Sequence, residues 1–268
     1  MPRVPRLAPG RFSVYRWWMR LSPSCYAIPG LCCIPPWWHN AGFVVGGSRT
    51  LLVDTGGNLA AAQTIHGYAT AVKPAQPLVA VNTEPHLDHL LGNAFFTELG
   101  VEVLGHASIA RTEDDFARYQ EEVRAGIADG VRRARHEERS FFAGTALQNP
   151  TRPVREDMAL DLGGISAELV LTPGHTPANL SVYVPAERVL YAGDCLEPGH
   201  LPGLEEGSPD DWRAWLSSLE RIEALEPLVL VPGHGVVLVG EAAIREELAR
   251  VRGVLREAIG RGTPPGDG

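Results

Sequence analysis

The sequence of 268 residues contains no apolar stretch long enough to cross a membrane, although 44% of its residues are hydrophobic. A transmembrane helix needs roughly 20 mostly apolar residues. The first residues, MPRVPRLAPGRFSVYRWWMRL, also lack the continuous apolar core of a secretory signal peptide. The sequence therefore predicts a cytoplasmic protein with no membrane partner.

Cysteine is scarce: the chain has four, at Cys25, Cys32, Cys33 and Cys195. Their spacing provides neither a C-x-x-C redox pair nor a zinc ribbon, and nothing in it requires a disulfide framework. We therefore expect free thiols in a reducing compartment.

An excess of positive charge and two widespread catalytic motifs are also missing. The chain has 24 lysines and arginines against 32 acidic residues, a formal net charge of −8, which predicts no nucleic-acid partner. The absence of a G-x-S-x-G element removes the support for a serine nucleophile. The absence of a Walker-type glycine-rich loop likewise gives no support for a phosphate-binding loop.

Short apolar runs alternate with amphipathic segments along most of the chain. Between residues 42 and 106 the pattern predicts a hairpin, a helix, a strand, a short helix and another strand. After residue 154 it predicts several more strands, a helix, a strand and a final helix. Such alternation is typical of layered α/β domains, so the predicted fold class is α/β.

Two segments depart from this alternation within what we interpret as a single domain, residues 1–268. Segment 1–40 is rich in proline and carries the pairs Trp17-Trp18 and Trp37-Trp38. We expect it to be irregular, with tryptophans that cover the core or, as an alternative, line a pocket. Residues of about 108–155 are highly charged and have helical spacing, which predicts a helical insertion.

The stretch VNTEPHLDHLLGN, residues 81–93, gathers one glutamate, two histidines and one aspartate behind an apolar run. A buried core segment would not contain these residues, because each is costly to bury without a partner. Three other apolar runs end similarly, in LVLTPGH, RVLYAGD and LVLVPGH. Strand carboxyl ends are where open α/β folds place their sites, so this repetition predicts a metal site. The candidate ligands are Glu84, His86, Asp88, His89, His175, Asp194 and His234.

The spacing within the first cluster allows one loop to serve two ions. In an extended chain the side chains at positions 84, 86 and 88 point to one side, and that of His89 points elsewhere. Imidazole suits zinc, iron and manganese, whereas an added carboxylate suits manganese and iron better than another imidazole would. Asp194, reaching in from the opposite side, is placed to bridge both ions.

The motifs LLVDTGG, TEPHLDH, TPGHTP, YAGD and PGHG, in this order over roughly residues 40–240, resemble those of the metallo-β-lactamase superfamily. The resemblance implies a four-layered αβ/βα sandwich of two stacked sheets. The family motif H-x-H-x-D-H reads E-x-H-x-D-H in this chain, so Glu84 stands at the position of the first histidine.

The resemblance also implies a dinuclear site in which each metal ion has three ligands of its own and one aspartate bridges both. The first set is Glu84, His86 and His175, the second is Asp88, His89 and His234, and the bridge is Asp194. Asp54, in VDTG, matches a position that supports the site from behind the ligands. The implied cofactors are two divalent ions, zinc in the first place, with iron or manganese as alternatives because of Glu84.

The implied function is that of a metal-dependent hydrolase in which a metal-bound hydroxide cleaves a small ester, thioester or lactone. Asp88 is the implied catalytic residue, which orients the hydroxide and moves a proton to the leaving group. The alternatives are β-lactam or phosphodiester hydrolysis and an iron-dependent oxidoreductase on the same fold. The expected partner is a small-molecule substrate, and a homodimer is left open.

Overall fold

The computed structural model describes residues 19–31, 39–126, 140–204 and 207–264. Its first sheet contains seven strands: β1 Met19–Arg20, β2 Cys25–Leu31, β3 His39–Val45, β4 Thr50–Val53, β5 Leu78–Val81, β6 Glu102–His106 and β7 Arg152–Val154. Its second sheet contains six strands: β8 Met158–Asp161, β9 Ser166–Leu171, β10 Leu180–Val184, β11 Val189–Gly193, β12 Val229–Pro232 and β13 Leu238–Val239. The helices of the described ranges are α1 Leu59–Val72, α2 Leu87–Leu90, α3 Asn93–Glu98, α4 Glu113–Gly126, α5 Pro209–Ala224 and α6 Glu241–Arg261.

Both sheets combine antiparallel and parallel pairs. In the first sheet the strands follow chain order; β1 to β4 pair antiparallel, and β4 to β7 pair parallel. In the second sheet the order is β13-β12-β11-β10-β9-β8, and only β11 and β12 pair parallel. Parallel neighbours have their carboxyl ends at the same edge of a sheet. The segments that follow β4 and β5 therefore lie at one edge of the first sheet, and those that follow β11 and β12 lie at one edge of the second.

Three buried clusters show how the layers stack. The central cluster joins the facing sides of the two sheets, with Val53 and Val81 from the first and Leu180 and Val231 from the second. A second cluster packs α1 and α3 on the outer side of the first sheet, and a third packs α5 and α6 on the outer side of the second. The order is therefore helix, sheet, sheet, helix, and the predicted four-layered αβ/βα sandwich is confirmed.

Local sequence signals fix the start of α1 and α5. Asn58 precedes α1, and its side-chain oxygen accepts a hydrogen bond from the Ala61 N–H at 2.8 Å. Ser208 and Asp211 form a reciprocal capping box at the start of α5, with Pro209 at the first helical position. These caps satisfy N–H groups that have no partner inside a helix.

Part of the N-terminal segment is regular, so the expectation of an irregular segment over residues 1–40 is wrong for β1, for β2 and for the first two residues of β3. There β1 and β2 extend the first sheet, and the ring of Tyr26 stacks on that of Phe43 with 4.6 Å between centroids. The sequence CYAIPGL concealed β2 because proline and glycine interrupt its apolar run. They lie where the β2–β3 register shifts, and Gly30 has a φ of 70°.

The other predictions for the flanking segments have mixed outcomes. The charged segment contains α4, and Phe116 of α4 packs against Phe142 with ring centroids 5.6 Å apart. The expectation of a helical insertion over about 108–155 is wrong at its end, where β7 pairs with β6. Residues 127–139 of the predicted helical insertion, the two tryptophan pairs, Cys32 and Cys33 lie outside the described residues. The division of the chain into one domain with an insertion stays a prediction. None of the helices in the described ranges has both the length and the apolar character that crossing a membrane requires.

Candidate metal centre

The candidate ligands lie just beyond the strand ends of both sheets. Glu84 and His86 follow β5, and His175 follows β9 after a short loop. Asp194 comes directly after β11, and His234 lies two residues beyond β12. The centre is therefore built jointly by the two sheets.

The ligand atoms form groups whose members all lie within 4.8 Å of one another. The two groups that contain every predicted ligand are Glu84, His86, His175 and Asp194, and Asp88, His89 and His234. Apart from Asp194, which stands in the first group, the groups contain the same residues as the two ligand sets that the resemblance implied. The role of these residues as metal ligands stays a prediction.

Asp194 lies between the two groups. Its Oδ2 atom is 3.7 Å from Nε2 of His175 and 3.3 Å from Nε2 of His234. Its Oδ1 atom is 3.5 Å from Nε2 of His89. One carboxylate therefore contacts ligands of both sets, which is the placement that a bridging ligand requires.

The backbone between His86 and Leu90 differs from the extended chain that we expected. His86 is still extended, with φ −65° and ψ 145°, but Leu87–Leu90 form the single helical turn α2. The turn rotates Asp88 away from the side of Glu84 and His86 and groups it with His89. Strict alternation was therefore the wrong rule for this loop, because it would have placed Asp88 with the first group.

Asp54 holds His89 from behind. Its Oδ2 atom lies 3.0 Å from Nδ1 of His89, and Oδ1 accepts the Thr83 N–H at 2.7 Å. The Thr83 hydroxyl donates to Oδ2 at 2.8 Å. In this contact Nδ1 of His89 carries a proton and donates it in a hydrogen bond to Asp54. The other ring nitrogen, Nε2, therefore faces the ligand cluster. Asp54 has a φ of 62°, a strained conformation for a residue with a side chain, which these hydrogen bonds stabilise.

The glycines of the two PGH turns allow close packing around the ligands. A β-carbon at Gly233 would lie 1.7 Å from Oδ1 of Asp194. A β-carbon at Gly174 would lie 2.3 Å from Cγ of Trp215, whose ring contacts His175 edge to face. Any larger residue at either position would displace a ligand or the side chain against which a ligand packs.

The local field favours positive charge. Burial alone would lower the pKa of His234, but the charge of Asp194 and hydrogen bonds to Asp194 and Asp88 outweigh burial and raise it to about 12. Burial would likewise lower the pKa of His86, yet the neighbouring Glu84 raises it to about 9. The negative charge of the carboxylates therefore stabilises positive charge in the cluster, either protons on the histidines or bound metal ions.

Several buried ligand atoms have no hydrogen-bond partner within the described ranges, and bound metal ions would satisfy them. Both oxygens of Glu84, Nε2 of His89 and Oδ1 of Asp194 are buried and have no hydrogen-bond partner among the described residues. Buried polar atoms without partners are costly and uncommon. Shared coordination to cations would satisfy all of these atoms, and a set of imidazoles and carboxylates suits zinc, iron or manganese.

Two residues near the centre were not among the predicted ligands. Glu197 forms a third group with Asp194 and His234, and burial, with the charge of Asp194, raises its pKa to about 8. His39 is fully buried, its ring lies 5.4 Å from that of His89, and neither of its nitrogens has a hydrogen-bond partner in the described ranges. Burial lowers the pKa of His39 to about 3, so its imidazole is neutral.

The sequence offered only a weak signal for these two residues. Glu197 follows the YAGD motif by three positions, in DCLEPGH, and that proximity was a usable clue. His39 has no metal-ligand motif beside it in the sequence. It lies near the site because it is the first residue of β3. Cys195, beside Asp194, is a free thiol in the core against Trp215, and burial raises its pKa to about 12.

Two stacked sheets with outer helices, and two sets of histidine and carboxylate ligands at the strand ends, define a metal-binding α/β protein of the αβ/βα class. Residues 35–234 match the family model described as the metallo-beta-lactamase superfamily, and the chain belongs to that superfamily.

Several known proteins are similar to the chain. A beta-lactamase-like protein 2 homolog of Caenorhabditis elegans is 26% identical over 204 residues, which cover 75% of this chain and 60% of that protein. A linear primary-alkylsulfatase of a Pseudomonas strain is 24% identical over 224 residues, covering 75% and 42%. The acyl-coenzyme A thioesterase MBLAC2 of Gallus gallus is 23% identical over 203 residues, covering 74% and 69%.

Solved structures agree on the fold. A metallo-beta-lactamase family protein from Thermus thermophilus aligns with a TM-score of 0.66 at 24% identity, covering 90% of this chain and 82% of that chain. The chain spans 60% and 42% of the length of the first two curated relatives described above.

Proposed function

We propose that the protein is a metal-dependent hydrolase that cleaves a small thioester, ester or lactone at a dinuclear site. The proposal depends on one observation: both oxygens of Glu84, Nε2 of His89 and Oδ1 of Asp194 are buried within the candidate ligand cluster and have no hydrogen-bond partner among the described residues. Two divalent cations held there would lower the pKa of a shared water and polarise the bond under attack. Zinc is the first proposed ion.

The exposure of the ligands supports one direction of substrate approach. The exposed fraction of the side chain is 29% for His86 and 10% for Asp88, but 0% for Glu84 and His89. The side chains of His175 and His234 are 12% and 15% exposed. A substrate would therefore approach from the side on which the three histidines and Asp88 are accessible, and would meet them before Glu84 and His89.

Asp88 is the proposed catalytic residue. Its Oδ2 atom is 3.1 Å from Nε2 of His234, which fixes the orientation of the carboxylate. The carboxylate would accept a proton from the attacking water and deliver it to the leaving group. Asp54 would keep Nε2 of His89 directed at the centre throughout the reaction.

A thioester is the first substrate class that we propose within this range. The similarity to an acyl-coenzyme A thioesterase over 74% of the chain supports it. The aspartate at position 194 supports an ester or thioester over a β-lactam, because the resemblance associates β-lactamases with cysteine or serine there.

Metal analysis combined with a substrate panel tests this proposal. The panel contains chromogenic thioesters, esters, lactones, a phosphodiester and a cephalosporin. We expect thioesters to turn over fastest, activity to disappear on chelation, and activity to return when zinc is restored. Turnover that is indifferent to both chelation and metal would overturn the assignment. A coloured protein that contains mainly iron would favour the oxidoreductase alternative.

A sulfate ester is a second candidate substrate. The linear primary-alkylsulfatase that matches 75% of the chain supports it. Adding a medium-chain alkyl sulfate to the panel separates the two candidates. Release of sulfate faster than thioester cleavage would make sulfate-ester hydrolysis the better description.

A further inference from the structure

The two oxygens of Glu84 face different metal-ligand groups. Oε2 lies 3.3 Å from Nδ1 of His86 and 3.6 Å from Nε2 of His175, both of the first group. Oε1 lies 3.0 Å from Nε2 of His89, which belongs to the second group. Glu84 is fully buried, and neither oxygen has a hydrogen-bond partner in the described part of the chain.

We propose that Glu84 bridges the two metal ions, one oxygen on each, as a second bridging carboxylate beside Asp194. Donors that share one ion at about 2.0–2.2 Å lie roughly 3 to 3.5 Å from each other. The separation of 3.0 Å between Oε1 and His89 Nε2 is in that range, and so is the 3.3 Å between Oε2 and His86 Nδ1. A neutral histidine at position 84 would ligate through one nitrogen and so would serve only one of the two ions.

The surroundings of His89 favour ligation over an ordinary ion pair. Its Nδ1 is already committed to Asp54. Its Nε2 atom faces three carboxylates at once: besides Glu84 at 3.0 Å, Asp88 lies at 3.7 Å and Asp194 at 3.5 Å. A single proton on Nε2 can form one good hydrogen bond, whereas one cation beside Nε2 can be shared by all of these oxygens.

A bridging glutamate changes the character of the centre. It adds one negative charge relative to the H-x-H-x-D-H motif, which favours ions of harder character. It also couples the two sites, because each ion fixes the carboxylate in the position that the other ion needs. The inference rests on the proposed metal centre, but its test measures metal binding and does not use hydrolysis.

The test isolates the second ion in a His175→Ala background, which removes one ligand of the first set. Zinc affinity is measured with the metal alone, by competition with a chromogenic chelator, and stoichiometry is measured by native mass spectrometry. Glu84→Gln and Glu84→Asp are compared in this background with His86→Ala, a matched control at another first-group ligand. Circular dichroism melting selects variants that remain folded.

We expect the remaining zinc to bind at least about tenfold more weakly after Glu84→Gln, since even partners outside the ligand shell are worth 10–100-fold. Glu84→Asp should weaken it similarly, because the shorter arm keeps the charge but cannot span the groups. His86→Ala should leave it within about threefold.

Three results would overturn the bridge. An unchanged affinity in both Glu84 variants would make Glu84 a ligand of the first ion only. Full affinity in Glu84→Asp together with a loss in Glu84→Gln would reduce its role to charge. If both variants misfold, the test moves to a stepwise zinc titration of the parent chain, in which two ions that bind without any coupling would also contradict the bridge. A parent chain that binds no divalent ion would instead overturn the proposed function itself.

Discussion

The carboxylate of Glu187 accepts a hydrogen bond from the backbone N–H of Ser24 at 3.0 Å, and so joins the turn between β10 and β11 to the start of β2. The hydroxyl of Ser22 donates to the same carboxylate oxygen. The contact connects the two sheets far from the metal centre. Its strength therefore reports on the packing of the sheets and not on the ligands.

Glu187 should make the stability of the protein depend on acid pH. Burial would raise its pKa, but the hydrogen bonds from Ser22 and Ser24 outweigh burial and hold it below its ordinary value of 4.5. Its contribution is therefore complete above 4.5 and is lost as the pH falls through the lowered pKa. Urea unfolding of the metal-free protein should show a larger loss of stability on acidification in the parent chain than in Glu187→Gln. Identical losses would contradict this prediction.

Asp54→Asn should weaken metal binding without unfolding the protein. An amide cannot accept the Nδ1 proton of His89 as strongly as a carboxylate does, so the orientation of the ligand becomes less fixed. Supporting partners of this kind are worth about 10–100-fold in metal affinity. Chelator competition measures the change, and Asp161→Asn, at an exposed carboxylate at the end of β8, is the control. Equal zinc affinities in the two variants would show that Asp54 does not position His89.

Gly233→Ala should damage the centre through sterics alone. The new methyl group would fall 1.7 Å from Oδ1 of Asp194, so the aspartate or the turn must move. We expect zinc stoichiometry to fall below that of the parent chain, as measured by mass spectrometry. Gly253→Ala, in α6, is a matched control because a β-carbon there meets no described atom within 4 Å. Full zinc loading of Gly233→Ala would mean that the loop adjusts freely.

Tyr191→Phe should destabilise the protein without affecting metal binding directly. The Tyr191 hydroxyl donates to the Tyr26 carbonyl at 3.0 Å and accepts the Tyr26 N–H at 3.2 Å, linking the two sheets in the core. Its removal leaves buried backbone groups with weaker partners, at a cost of about 1–3 kcal/mol. Tyr183→Phe, which loses a hydrogen bond to the Leu225 carbonyl near the surface, should cost less. Urea unfolding at neutral pH measures the free energy of unfolding, which should be highest for the parent chain, lower for Tyr183→Phe and lowest for Tyr191→Phe.

The strand ends were predictable because their pattern repeats. Apolar runs that stop at PGH or AGD mark His175, Asp194 and His234 without any knowledge of the fold. The four-layer order followed from the resemblance and is confirmed by the buried clusters. The β2 strand was missed because its hydrophobic run contains Pro29 and Gly30.

The internal geometry of the centre was not predictable from spacing. The alternation of side chains that holds in an extended strand ends where Leu87 begins a helical turn. The residues HLDH contain no local signal that predicts this turn. The contacts of Glu84 with both groups depend on the direction of its side chain, which the sequence does not encode locally. The positive φ of Asp54 likewise arises from long-range hydrogen bonds to Thr83.

The ligands come from both sheets, so metal binding depends on the docking of the two halves of the chain. Glu84 to His89 come from the first half of the chain, and His175 to His234 come from the second. An ion bound between them favours the docked over the separated halves, because the separated halves lack the complete set. Metal loading should therefore suppress local opening between the two sheets, so that binding of the ions slows the exchange of amide hydrogens on β4 and β11 more than it slows exchange on the outer helices.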